Sequence, residues 1–207
     1  MAKHIYYFHL LAGMCMLELG NLASSLAPFN VSAVSVSLNA NAQEAGLVVT
    51  LELFFAAISS LYFGTVAYKG KVLGLFGSLI VVTCYYLCSI AENIDQITII
   101  KGFSGVGCGM LIASGHSILA SSYDPNRSYA IFTLFASITA ALLIFISSTW
   151  IEDGGYKYYF SNFIYVYVAL TLFFFFAKKL KITIAEHTEI NRSKKGIYFL
   201  LITAVLF

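Results

Sequence analysis

"KGFSGVGCGMLIASGHSILASSYDPNR", residues 101–127, sets four glycines within eight positions, a lysine just before them and a histidine further on. Three readings lead to three different proteins: a loop that cradles phosphate, a serine nucleophile at Gly102-Phe103-Ser104-Gly105, or a helix thinned so that another can lie against it. A dinucleotide loop needs a strand ahead of G-x-G-x-x-G and a soluble βαβ unit around it. Here the order is G-x-x-G-x-G-x-G within an apolar run. The phosphate reading fails on that context.

The surrounding chain explains why the run is apolar. Of 207 residues, 59% are hydrophobic and 11% charged, with mean hydropathy +0.83. Soluble domains carry about a quarter charged residues. So much apolar surface cannot be hidden within the chain itself, so the bilayer is the expected solvent. The net charge of +2 gives no reason to expect nucleic acid. Cys15, Cys84, Cys88 and Cys108 lie in apolar runs, so they read as small buried hydrophobes rather than disulfide or metal ligands. No metal or cofactor is expected.

In lipid every backbone polar group must be satisfied internally, and period-2 alternation is missing, so the spans are helical. With about 20 residues per crossing, the spans fall at about 5–29, 46–67, 72–91, 97–121, 128–149 and 157–177. The run Ile197–Phe207 is expected to be a seventh span cut short, after a basic cytoplasmic linker at about 178–196. The alternative for the first span, a cleaved leader ending near Ala23, is disfavoured because the apolar run continues past Glu18. The fold class is therefore all-α and polytopic.

Positive residues are retained on the cytoplasmic side. With the N-terminus inside, Lys3, Lys69, Lys71, Arg127, Lys178, Lys179, Lys181, Arg192, Lys194 and Lys195 are cytoplasmic, ten of twelve basic residues. Glu44, Glu92, Asp95, Glu152 and Asp153 fall outside. The expected location is a cell membrane, with the bilayer as a partner.

Gly102-Phe103-Ser104-Gly105 resembles the G-x-S-G of rhomboid intramembrane proteases. In that family the base is a sixth-span histidine, and residues 157–177 contain none. His116 shares a helix with Ser104, twelve residues and about 18 Å along the axis, too far to serve it. The packing reading remains. Gly102, Gly105, Gly109, Ala113 and His116 recur at helical spacing as one stripe, and Gly107 thins a second side. Small residues let membrane helices approach closely.

A basic residue, glycines at G-x-x-G-x-G-x-G, then a short turn with an arginine resembles the fourth and fifth helices of major facilitator superfamily transporters. "NAQEAGLVVTLELFFAAISSLYFG", residues 41–64, resembles that family's entry into its second helix. The resemblance implies a half of a twelve-helix carrier that moves a small solute by alternating access against a second six-helix half, in the same chain or a partner. It implies no enzyme activity. Two departures stand out: Tyr68 occupies the aspartate position of the loop between helices two and three, and Lys101 stands where the fourth helix has arginine. A lysine supplies charge without a bidentate fork.

Acids within spans carry the functional expectations, because an ionised carboxylate in hydrocarbon costs at least about 2.5 kcal/mol. Glu18, on one face with Asn21 and Ser25, is the candidate proton-coupling group, or else a neutral acid hydrogen-bonded to a neighbouring helix. Glu52 and Lys101 form a candidate outer ion pair, or reach the headgroups separately. His116 is a candidate relay or solute contact, or else a histidine bonded across an interface. In the cytoplasmic loops, Lys69 and Lys71 follow the second span, while Asp124 caps the helix that brings Arg127 to the inner face. A membrane assembly subunit that transports nothing is the alternative class.

Overall fold

The computed structural model describes residues 2–65 and 70–175. Lys69, the linker at 178–196 and the expected seventh span at 197–207 lie outside the described residues. All the described elements are helices: α1 (Ala2–Ser25), α2 (Ala27–Leu38), α3 (Ala42–Gly64), α4 (Gly70–Ile90), α5 (Ile94–Ala120) and α6 (Pro125–Phe175). By length and composition α3, α4, α5 and α6 suffice to cross a membrane, and the bent pair α1–α2 makes a fifth candidate.

The first span differs from the expected single helix over 5–29. It breaks at Leu26 with a bend of 49°, then continues as α2 to Leu38. Pro28 supplies the reason, since it has no N–H to return to the carbonyl of Ser24 and its ring disfavours a continuous helix. Asn39 ends α2 in the left-handed conformation, at φ 52°.

Asparagines start the next elements earlier than apolarity alone suggests. Asn41 accepts from the amides of Gln43 and Glu44 while Glu44 reaches back to Asn41 N–H, a reciprocal capping box. Asn93 accepts from Gln96 N–H to start α5. Asp124 Oδ1 accepts from Arg127 N–H at 3.1 Å at the start of α6.

The α6 helix is two arms joined at Gly154–Gly155, where Gly155 turns with φ +63°. Cross-contacts show the reversal. Tyr129, Phe132 and Phe135 on the first arm pack with Leu10, Met14 and Leu17 near the start of α1. Beyond the break, Tyr156 N–H donates to Ser37 Oγ, Tyr159 OH to Asn30 Oδ1, and Tyr167 OH to the Leu19 carbonyl. The second arm thus runs antiparallel to α1–α2. Its Phe160 packs edge-on with Tyr85 of α4, Phe163 and Tyr167 meet the same ring at a tilt, and Ser78 and Thr171 hydrogen-bond across the same seam.

Ser37 Oγ takes the Tyr156 amide at 3.0 Å just where the chain reverses, in a half-buried position. Ser37→Ala is expected to lower stability by about 1–2 kcal/mol through the unmatched amide. Thermal unfolding of the detergent-solubilised protein checks it.

Candidate functional site

Among the described residues, two acids and one lysine sit inside the bundle. Glu52 on α3 and Lys101 on α5 are each 0% exposed. The Lys101 ammonium lies 3.0 Å from both carboxylate oxygens, with its aligned hydrogen bond directed at Oε1. Ser104, one turn along α5 on the same face, donates to that oxygen at 2.8 Å. Oε2 meets the ammonium by charge alone. The ammonium also stands 4.1 Å from the Tyr85 ring centre and 5.2 Å from that of Phe160, so α4 and the second arm complete its surroundings.

Glycines set this geometry. A Cβ on Gly105 would fall on the Glu52 carbonyl oxygen, and one on Gly109 would lie 2.5 Å from the Ala56 carbonyl oxygen. The α3 backbone therefore rests directly on α5, which lets a short acid and a lysine meet inside. Gly107 faces α4, where its Cβ would stand 2.7 Å from the Gly77 carbonyl oxygen. Gly115 takes Leu17 of α1 on a further side. Gly102, on the same stripe as Gly105, meets only the Phe55 ring at the ordinary distance of 3.4 Å.

Glu18 is 1% exposed, and neither carboxylate oxygen meets a hydrogen-bond partner among the described residues. Its chain neighbours lie between three helices: Leu17 packs with the first arm of α6 and against Gly115 of α5, and the Leu19 carbonyl accepts from Tyr167 on the second arm. Asn21 is half-buried and Ser25 exposed, so the polar face read around Glu18 is split between interior and surface.

His116 is exposed at the far end of α5, with Nδ1 3.0 Å from Tyr129 OH on α6. The structure thus joins Glu52 to Lys101 and leaves Glu18 and His116 apart from them. Arg127 and Asp124 are exposed at the turn between α5 and α6, and Lys71 lies in the first turn of α4. Ser104, sealed and directed at Glu52, has no imidazole for a base, which leaves the protease arrangement incomplete. The four cysteines are buried and free.

Sequence reasoning missed Ser104 as a partner of Glu52, although its three-residue spacing from Lys101 carried that signal. It also missed Tyr129 beside His116 and the rings around Lys101, for which tertiary packing gives no local cue.

Long apolar helices, glycine-thinned contacts and a buried ion pair define a polytopic helical membrane protein. A family model described as Major Facilitator Superfamily matches residues 11–206, and the chain belongs to that family. It is an integral membrane protein of a transporter family rather than an enzyme family. A search of curated proteins gave no match.

Proposed function

We propose that the chain is a six-helix half of a proton-coupled secondary carrier, moving a small solute by alternating access against a second six-helix half. The N-terminus lies in the cytoplasm of a cell with the carrier in its cell membrane, as the distribution of basic residues favours. The six crossings are α1–α2, α3, α4, α5 and the two arms of α6, which hold 29 and 20 residues at 125–153 and 156–175.

One observation carries the coupling. Glu18 is enclosed, and neither of its carboxylate oxygens meets a hydrogen-bond partner among the described residues. A carboxylate left there without counter-charge or water is costly, so release of its proton is tied to a rearrangement that admits water. A paired acid such as Glu52 has no such need. Glu18, with His116 and Asn21 nearer the surface, is therefore the group that links proton movement to opening.

The test uses the full-length protein in vesicles with a pH-sensitive dye inside, screened against a library of small solutes. Glu18→Gln is expected to reduce solute-dependent proton flux by at least about tenfold, the factor that corresponds to about 1.4 kcal/mol. Glu18→Asp should retain part of it. Undiminished flux in Glu18→Gln would show that protons move by another group.

A further inference from the structure

The described residues divide sharply by charge and exposure. Within the helices every ionisable acid or lysine away from the ends is sealed: Glu18 at 1%, Glu52 and Lys101 at 0%. Exposed charges lie at helix ends and turns, from Glu44 and Asp95 to Arg127 and Glu152. Any side chain of this half that touches a solute between two halves has to be on the surface of its own half. The three interior charges are not.

What remains on the surface is of two kinds. Phe54 and Leu61 on α3, Phe76 and Leu79 on α4, and Leu134 and Phe145 on another side of the first arm of α6 are exposed and suit lipid. The other kind follows the seam of α1 with the first arm of α6. There Leu10, Met14 and Leu17 pack against Tyr129, Phe132 and Phe135, and Asn21 continues that stripe of α1 one turn beyond Leu17. Ser24 is exposed three residues further on. On the arm, exposed Thr133 and Ser137 extend the line of Tyr129, which meets His116. An imidazole and an amide at membrane depth are poorly served by lipid and suit a water-filled cleft.

We infer that this seam, walled by Asn21, Ser24, His116, Tyr129, Thr133 and Ser137, is the solute-facing surface of the half and takes an uncharged polar solute. These six side chains offer hydroxyl, amide and imidazole groups for hydrogen bonding and carry no fixed charge to match an anion or cation. The inference rests on the carrier reading above and adds the chemical class of the solute to it.

The experiment places single cysteines in the full-length protein by Ser24→Cys, Thr133→Cys and Ser137→Cys. Each is reacted in vesicles with a cationic and an anionic methanethiosulfonate of similar size, at pH 8, where an ordinary imidazole is neutral. The native cysteines are buried, so the unsubstituted protein sets a low background. All three positions are expected to react, with the two rates within about threefold of each other after normalising to a free thiol. A unit charge within about 5 Å would separate them by about tenfold or more, even at the dielectric constant of water. Such a bias in either direction overturns the neutral wall while leaving the Glu18 proton assay unaffected. Failure of all three positions to react with either reagent would place the seam against lipid or packed protein, which also overturns it. Loss of proton coupling in Glu18→Gln is read separately, so the two claims fail on different results.

Discussion

Lys101→Met is expected to be among the most damaging single substitutions in the described chain, lowering stability by about 3–5 kcal/mol. The side chain it removes is fully enclosed and lies 3.0 Å from both oxygens of an equally enclosed Glu52. Methionine fills much of the same space, so the loss comes mainly from the carboxylate left behind. Ser104 still donates to Oε1, and one neutral hydroxyl does not compensate a full negative charge in an apolar bundle. The double substitution Lys101→Met with Glu52→Gln removes both charges and keeps an acceptor for Ser104. It is expected to recover most of the loss, because exchanging a buried pair for neutral groups is often close to neutral. Thermal unfolding in detergent of the wild type, the two single variants and the double variant gives the full cycle. If Lys101→Met alone melted like the wild type, the carboxylate would have another partner.

The same enclosure changes what the pair can do. An ion pair that opens and closes as a gate needs a route to water or to a second partner in at least one state. Glu52 and Lys101 have neither in this structure: the glycine contacts close α3 onto α5, and the rings of Tyr85 and Phe160 close the other side. The arrangement binds α3 to α5 within one half. Movement is better placed where the backbone geometry is irregular, at the Leu26 break and at Gly154–Gly155.

Much of this was readable before the fold. The apolar runs gave the helical class, and the glycine order of 102–109 together with residues 41–64 pointed to the family that matches residues 11–206. The approach of Glu52 to Lys101 was readable as a candidate because both fall in the outer part of adjacent helices. The closeness of that approach was not, because it depends on which side of α3 lies over Gly105. The bend at Leu26 was obscured by the apolar residues around it, with Pro28 as the single mark. Enclosure of Glu18 was hidden for a different reason. The helices packed around that part of α1, α5 and both arms of α6, lie about ninety or more residues away, and no local pattern on α1 records them. Ser104 was masked by its own motif, since the G-x-S-G setting drew attention to nucleophilic chemistry rather than to its spacing from Lys101.

Gly105→Ala tests the contact on which the interior depends, and its effect is expected to exceed what one methyl usually does. The added Cβ would meet the Glu52 carbonyl oxygen and would stand 3.0 Å from the carbonyl carbon and 3.1 Å from Ala56 N. All of these are backbone atoms, so no rotamer change can clear them and α3 itself must move. Overpacking a core typically costs about 1–3 kcal/mol. Here the displaced backbone also carries Glu52, so the shift lengthens an enclosed ion pair and adds to that figure. Gly102→Ala lies one turn away on the same stripe and meets only the Phe55 ring at 3.4 Å. It should be tolerated. Gly46→Ala meets nothing within 4 Å and should be neutral or stabilising, because alanine favours a helix interior over glycine by roughly 0.5–1 kcal/mol. Melting the three variants side by side separates a close backbone approach from a general effect of enlarging glycine. Equal losses at Gly105 and Gly46 would contradict the contact. A large loss at Gly105 alone, partly relieved when the ion pair is also neutralised by Lys101→Met with Glu52→Gln, would show that the glycine and the charges act as one unit.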